Sequence, residues 1–338
     1  MVETKRSGSL LSSWSFWIKL AVTAGILIWL VQSNDLKKLA RELVNADPVW
    51  LILTFLCIGV AVLGTTLRWW FLLRVQGIHL PLKRAGALVM IGNFFNAFLP
   101  GSTGGDVVKI FYTIKQAPDR KARATLSILM DRILGLVAIL CATFLVIPFK
   151  FQQISANAEA SRYLLILLVL LGGVFLGSAL VFLFPLKLLP TFFHKLWLKV
   201  PKRDVLESLY EGFQNHGRAG RESLSAVACA VFAVFFILGS GYCIARSLHL
   251  DVSYPLITVI FSLTLCAISL PISISGHGVR EGMLILMFGI FAVTRQGVPV
   301  SQETAVAFSV IFLLISWVWA LFGGAIYLGY SHQEKKVP

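Results

Sequence analysis

Seven charged side chains stand where the sequence is otherwise apolar: Arg68, Asp106, Lys109, Asp131, Arg132, Arg280 and Glu281. A charge near a bilayer centre costs about 2.5–3.5 kcal/mol on the insertion scale, so such groups pair or face a polar cavity. Two chemistries fit them. Arg280, Arg132 or Lys109 could bind an anionic phosphate while the carboxylates balance charge. Alternatively, Asp106, Asp131 or Glu281 could serve as a catalytic carboxylate. A plain interhelical ion network is the third use for such residues. Asp131 and Arg132 are adjacent, and helical neighbours do not face one another, so each is expected to have a separate partner. Asp106 and Lys109 are three apart and share a helix face. Asn93 and Asn96, one turn apart, add amide groups that could contact a headgroup or cap freed backbone. His277 stands between two glycines with no second ligand at metal spacing, so no metal site is expected. No phosphate-cradling loop, nucleophile elbow, HExxH or dinucleotide fingerprint is present. The reading therefore expects no cofactor, no nucleotide-driven pump and no enzyme.

These residues cluster at two interruptions. The first runs Asn93-Phe94-Phe95-Asn96-Ala97-Phe98-Leu99-Pro100-Gly101-Ser102-Thr103-Gly104-Gly105-Asp106-Val107-Val108-Lys109. The second runs Leu270-Pro271-Ile272-Ser273-Ile274-Ser275-Gly276-His277-Gly278-Val279-Arg280-Glu281-Gly282. Both read Leu-Pro-x-Ser, then glycines, then acidic and basic residues opening a new apolar stretch. Pro100 and Pro271 end a helix, and Gly104, Gly105, Gly276 and Gly278 permit a tight return. The following half-helix would point its N-terminal N–H groups and positive dipole end into the protein, where an anion can bind. The candidate headgroup-binding residues are therefore Asn93, Asn96, Ser102, Asp106, Lys109, Asp131, Arg132, Ser273, Ser275, Arg280 and Glu281.

The elements that hold these breaks must lie in a membrane. The 338 residues are 57% hydrophobic and 14% charged, with mean hydropathy +0.81, against about 25% charged in soluble domains. Apolar runs at 14–32, 48–67, 124–147, 163–184, 223–247 and 304–330 are near the ~20 residues that cross a bilayer. Lys5 and Arg6 precede the first run as in a signal peptide, but Lys19 interrupts it, so it reads as an uncleaved helix. The five cysteines all lie in apolar segments and read as packing residues.

Regions 85–110 and 255–294 carry the breaks. Backbone released there cannot face lipid, so each region is read as a re-entrant hairpin. The N-terminus, 68–84, 109–123, 185–222 and the C-terminal tail then share one side and hold 20 Lys and Arg, against 7 on the other. The positive-inside bias puts the basic side in the cytoplasm, with both termini. That bias, not nucleic acid, accounts for the net charge of +14. The basic loop 185–222 is an ordinary cytoplasmic loop or a platform for anionic headgroups. The fold expected is an all-α polytopic membrane protein with about six full spans and two inverted re-entrant helical hairpins. It forms a single domain over 1–338, with inverted halves at about 48–147 and 223–330. Paired interruptions in inverted halves point to a transporter site near the midplane.

The ordered set Gly92-Asn93-Phe94-Phe95-Asn96, Leu99-Pro100, Gly104-Gly105-Asp106, Lys109, Asp131-Arg132-x-x-Gly135, Leu270-Pro271 and Gly278-Val279-Arg280-Glu281-Gly282 resembles the lysylphosphatidylglycerol synthase transmembrane region, a flippase-like family of prokaryotic membrane proteins. The resemblance covers about 14–330. It implies a lipid-translocating membrane domain. Because Pro338 follows directly on the last span, a stand-alone member without the soluble aminoacyl transferase domain is expected. The function expected is movement of a lipid or lipid-linked headgroup between leaflets of the bacterial inner membrane. The partners expected are membrane lipids and, as an option, lipid or glycan biosynthesis enzymes. The alternatives are a membrane-embedded enzyme on a lipid-linked substrate and a non-transporting partner of a biosynthetic system.

Overall fold

A computed structural model describes residues 35–98, 104–150, 219–269 and 276–334, together with positions 161, 162, 165, 169 and 173. The expected span 14–32, most of the expected span 163–184 and of the loop 185–222, and the break residues Pro100, Ser102, Pro271, Ser273 and Ser275 lie outside the described residues. The described part is helical apart from one two-residue antiparallel ladder. In chain order the helices are α1 (Leu36–Val44), α2 (Pro48–Val75), α3 (Leu82–Phe98), α4 (Gly104–Gln116), α5 (Lys121–Val146), α6 (Gly220–Ser247), α7 (Tyr254–Ser269), α8 (Val279–Ile290) and α9 (Gln302–Glu334). Among the described residues, four helices are long and apolar enough to cross a membrane: α2, α6, α9 and α5 with the 3-10 turn before it. The chain is thus an all-α polytopic membrane protein in its described part.

α2 and α6 are both 28 residues long, about 42 Å at 1.5 Å per residue. Both end in the same way. Gly77 N–H bonds the Arg74 carbonyl at 2.8 Å and Ile78 N–H bonds that of Leu73 at 2.9 Å. His249 and Leu250 bond the carbonyls of Arg246 and Ala245, each at 3.0 Å. This paired closure needs a left-handed residue just past the helix, and Gly77 and His249 have φ of +74° and +56°. The two helices run antiparallel along one another. Asp47 N–H bonds the Ser247 carbonyl at 3.0 Å, and Leu72 shares a buried cluster with Ala226. Between them a Cβ on Gly64 would lie 2.9 Å from that of Ala233. Small side chains let the two backbones approach, which is where apolar helices gain contact when lipid supplies no hydrophobic drive.

α2 passes the expected end of its span at residue 67 and continues to Val75. Arg68 looked like the start of a loop, yet it is buried inside the helix. Its charge is met by a carboxylate on α5, so the helix has no reason to stop there.

α3 (17 residues) and α4 (13 residues) are each shorter than the apolar slab requires, at about 25 and 20 Å against ~30 Å. They pack antiparallel. A Cβ on Gly105 would fall on the Gly92 carbonyl, and Arg84 Nη1 donates to Gln116 Oε1 at 3.5 Å where their free ends meet. Gln116 Nε2 in turn donates to Tyr330 Oη at 3.0 Å, near the end of α9. The start of α7 and the end of α8 also come together, through Asp251 N–H on the Thr294 carbonyl at 2.8 Å. That junction lies at the other end of the molecule, with the start of α2 and of α9. Glu42 of α1 accepts both Nη groups of Arg295 there, at 3.1 and 2.6 Å. Arg295 belongs to the ladder Thr294–Arg295 with Val298–Pro299. α3 lies on α9, and α7 lies on α5.

Candidate functional site

A cavity of about 300 Å³ lies between α2, α3, α7, α8 and α9. Asn93, Asn96 and Ala97 reach it from the helix that precedes the first break. His277 and Arg280 reach it from the helix start that follows the second. Ile58 and Val62 of α2 close one wall, and Ser316, Trp317 and Trp319 of α9 close another. Ile58 lies ten residues beyond Pro48 on a 28-residue helix, about 15 Å in, so the cavity sits well inside the span.

Local sequence fixes each wall. Gly276 and Gly278 have φ of +76° and +82°, which L side chains rarely adopt. Gly278 precedes α8, and its N–H donates to Glu281 Oε2 at 2.7 Å. Glu281 Oε1 accepts from Arg280 Nη2 at 2.9 Å and from Ser309 Oγ at 2.5 Å. Arg280 Nε donates to Ser309 Oγ at 2.5 Å. The Gly-x-x-Glu spacing thus caps α8, and the capping carboxylate anchors the arginine beside the cavity. Arg280 is 4% exposed and Glu281 6%. Across the cavity, Trp319 Nε1 donates to the Phe55 carbonyl at 3.0 Å, and its ring stacks on Phe55 with centroids 4.9 Å apart. A Cβ on Gly59 would collide with that indole, so this glycine makes room for a cavity wall.

A second polar cluster lies beside the first break. Arg68 Nε donates to Asp131 Oδ1 at 2.7 Å. Lys109 Nζ lies 3.8 Å from Asp131 Oδ2 and 4.4 Å from the Trp69 ring centroid. Arg132 Nη2 lies 2.7 Å from Asp106 Oδ2. A Cβ on Gly135 would stand 3.0 Å from Arg68 Nη1. The Asp-Arg-x-x-Gly string therefore has one job per residue: Asp131 holds Arg68, Arg132 holds Asp106, and Gly135 clears space for the guanidinium. Asn96 links this cluster to the cavity, because its Oδ1 accepts the Gly105 N–H at 2.8 Å.

Asp131 and Arg132 do have different partners, as the spacing requires. Asp106 and Lys109 do share a side of α4, and both are answered by α5. They do not line the cavity; Asn93 and Asn96 supply its wall from the first break. Arg280 and Glu281, though adjacent, pair with one another through the bend of the arginine side chain. Ser309, Ser316, Trp317, Trp319 and the cavity position of His277 were not singled out from the sequence. Ser309 and Ser316 are seven residues apart on α9, and that repeat on one helix face is the signal that could have found them.

The carboxylates of the seven charged residues are all engaged by cations or backbone N–H groups, and none of them lines the cavity. The residues between the helices at the breaks, 99–103 and 270–275, contain no Asp or Glu. Among the described residues the cavity lining thus offers the Arg280 guanidinium, the His277 imidazole, the Asn93 and Asn96 carboxamides, the Ser316 hydroxyl and indole faces.

The chain is 24% identical over 309 residues to the UPF0104 membrane protein MJ1595 of Methanocaldococcus jannaschii, covering 86% of each chain. Residues 16–324 match the family described as Lysylphosphatidylglycerol synthase TM region. With most of its length matched, the chain belongs to the lysylphosphatidylglycerol synthase transmembrane-region family.

Proposed function

We propose that the protein carries a lipid headgroup between the two leaflets through the cavity at Arg280, while the tails stay in lipid. The observation that carries this reading is the convergence of the two breaks: Asn93 and Asn96 from the first and His277 and Arg280 from the second face one cavity. Helix pairs α3–α4 and α7–α8 open toward opposite ends of the molecule. That arrangement supports two re-entrant hairpins in inverted halves, the organisation in which transporters place a substrate near the midplane. The basic loop bias supports a cytoplasmic side for the α3–α4 opening and both termini, and a cytoplasmic-membrane location.

The lining sets the charge of the cargo. Among the described residues Arg280 and His277 line the cavity and no carboxylate does, which favours an anionic phosphate headgroup. A cationic headgroup would leave its charge without a counter-ion in a low-dielectric space. The volume holds about ten waters at ~30 Å³ each, enough for a phosphate bearing a small polar group. A carrier is favoured over an enzyme because Asp106, Asp131 and Glu281 are held in ion pairs and caps rather than presented to the cavity.

The test is leaflet exchange in reconstituted vesicles, with phosphatidylglycerol, phosphatidylcholine and lysylphosphatidylglycerol in parallel. Faster exchange than in empty vesicles, greatest for phosphatidylglycerol, is the expected result. Equal rates in empty and protein-bearing vesicles across all three lipids would remove the reading.

A further inference from the structure

We propose that Lys109, held between Asp131 and Trp69, is a proton-binding site, and that proton movement through it drives the lipid movement proposed above, on which this inference rests. Lys109 is buried, 7% exposed. An ammonium has three N–H donors, yet Nζ makes no hydrogen bond to any described residue. Its neighbours are Asp131 Oδ2 at 3.8 Å and the Trp69 ring at 4.4 Å. Asp131 is already committed to Arg68 at 2.7 Å.

The charge balance is therefore uneven. Arg68, Lys109 and Asp131 together carry a net charge of +1 when Lys109 is protonated and zero when it is not. Arginine keeps its proton under all ordinary conditions, whereas a buried lysine gives its proton up readily. Lys109 is thus the group in this cluster whose proton can leave without stranding a charge. The remaining charged groups facing it are Asp106 on its own helix and Arg132 on α5, which neutralise each other at 2.7 Å. α3 meets the Lys109 side chain at Gly92; the charges of that helix, Lys83 and Arg84, lie at the open end. In the 3-10 turn after α4, Arg120 is bonded to the Gly77 carbonyl. Farther along, Tyr330 of α9 packs on Tyr112 and Gln116. The Arg132 side chain, at the rim of the cluster, is half exposed, and the proposed proton entry lies there.

The site is tied to the cavity by α4. When Lys109 is charged, Asp131 draws it toward α5. When it is neutral, that attraction is gone, and the Asp106–Arg132 pair and the apolar packing of Tyr112 near Ala124 and Ile128 remain. The N-terminus of α4 is bonded to Asn96, and Asn96 lines the cavity, so a shift of α4 changes the cavity wall. The step is a plain proton transfer: Nζ takes a proton from water on one face of the membrane and returns it to water on the other.

The experiment uses the full chain in phosphatidylcholine vesicles carrying a minor fraction of phosphatidylglycerol, with an imposed pH gradient and a leaflet-resolved readout. One proton per lipid predicts that a gradient of one pH unit shifts the phosphatidylglycerol distribution by up to about tenfold. In Lys109→Met the distribution is expected not to respond to the gradient, whatever its rate of exchange. Should that variant fail to fold, Lys109→Arg keeps the charge without a releasable proton and carries the same expectation. Wild-type exchange that ignores the gradient, or a response that survives in Lys109→Met or Lys109→Arg, overturns the proton site and leaves the carrier reading standing. No exchange under any gradient overturns both.

Discussion

Replacing Asp131 by Asn removes the carboxylate from between Arg68 and Lys109 while keeping its shape. Arg68 loses a bond of 2.7 Å, and Lys109 loses the counter-charge at 3.8 Å. Two opposite unit charges about 4 Å apart attract by about 4 kcal/mol at an effective dielectric of ~20. Removing one partner of a buried pair costs about 3–5 kcal/mol, because the other is left uncompensated. Asp131→Asn is therefore expected to destabilise the protein by that amount. Arg68→Met should cost less, since Lys109 still balances Asp131. The double variant should cost less than the two single losses added, by about 1–3 kcal/mol. Reversible unfolding in bicelles, followed by tryptophan fluorescence, measures all three. A loss under about 1 kcal/mol for Asp131→Asn, the scale of an exposed pair, or strict additivity would refute the charge accounting.

Other substitutions test the walls of the cavity. Gly59→Ala drives a methyl into the Trp319 indole and should cost about 1–3 kcal/mol as overpacking, read as a lower melting temperature. Gly278→Ala places a side chain at φ +82°; the strain of about 1–3 kcal/mol should loosen the start of α8, seen as faster amide exchange over 279–283. Ser316→Trp fills the cavity from α9 and should abolish lipid exchange while the melting temperature stays near wild type; undiminished exchange would count against passage through the cavity.

The buried ion pairs were legible because membranes punish polar groups. Charges in apolar runs announced Asp106, Lys109, Asp131, Arg132, Arg280 and Glu281, and the glycine-rich breaks announced where helices stop. The assignment of faces was less accessible. The i,i+3 spacing of Asp106 and Lys109 says that they share a side of α4, not whether that side meets the cavity or α5. Arg68 truncated the expected span because hydropathy treats a buried, paired arginine as a solvated one. Ser316, Trp317 and Trp319 were hidden for the opposite reason: inside a long apolar helix, a cavity wall and a packed core use the same residues.

The central claim is that a headgroup enters the cavity between the two breaks. Phosphatidylglycerol bearing a photoreactive diazirine on its headgroup, irradiated with the protein in nanodiscs and mapped by peptide mass spectrometry, tests it most directly. Adducts are expected on α3 around Asn93 and Asn96, on α8 around Arg280 and on α9 around Ser316, reduced when Ser316→Trp fills the space. Adducts confined to the helix ends at the two membrane surfaces would contradict it.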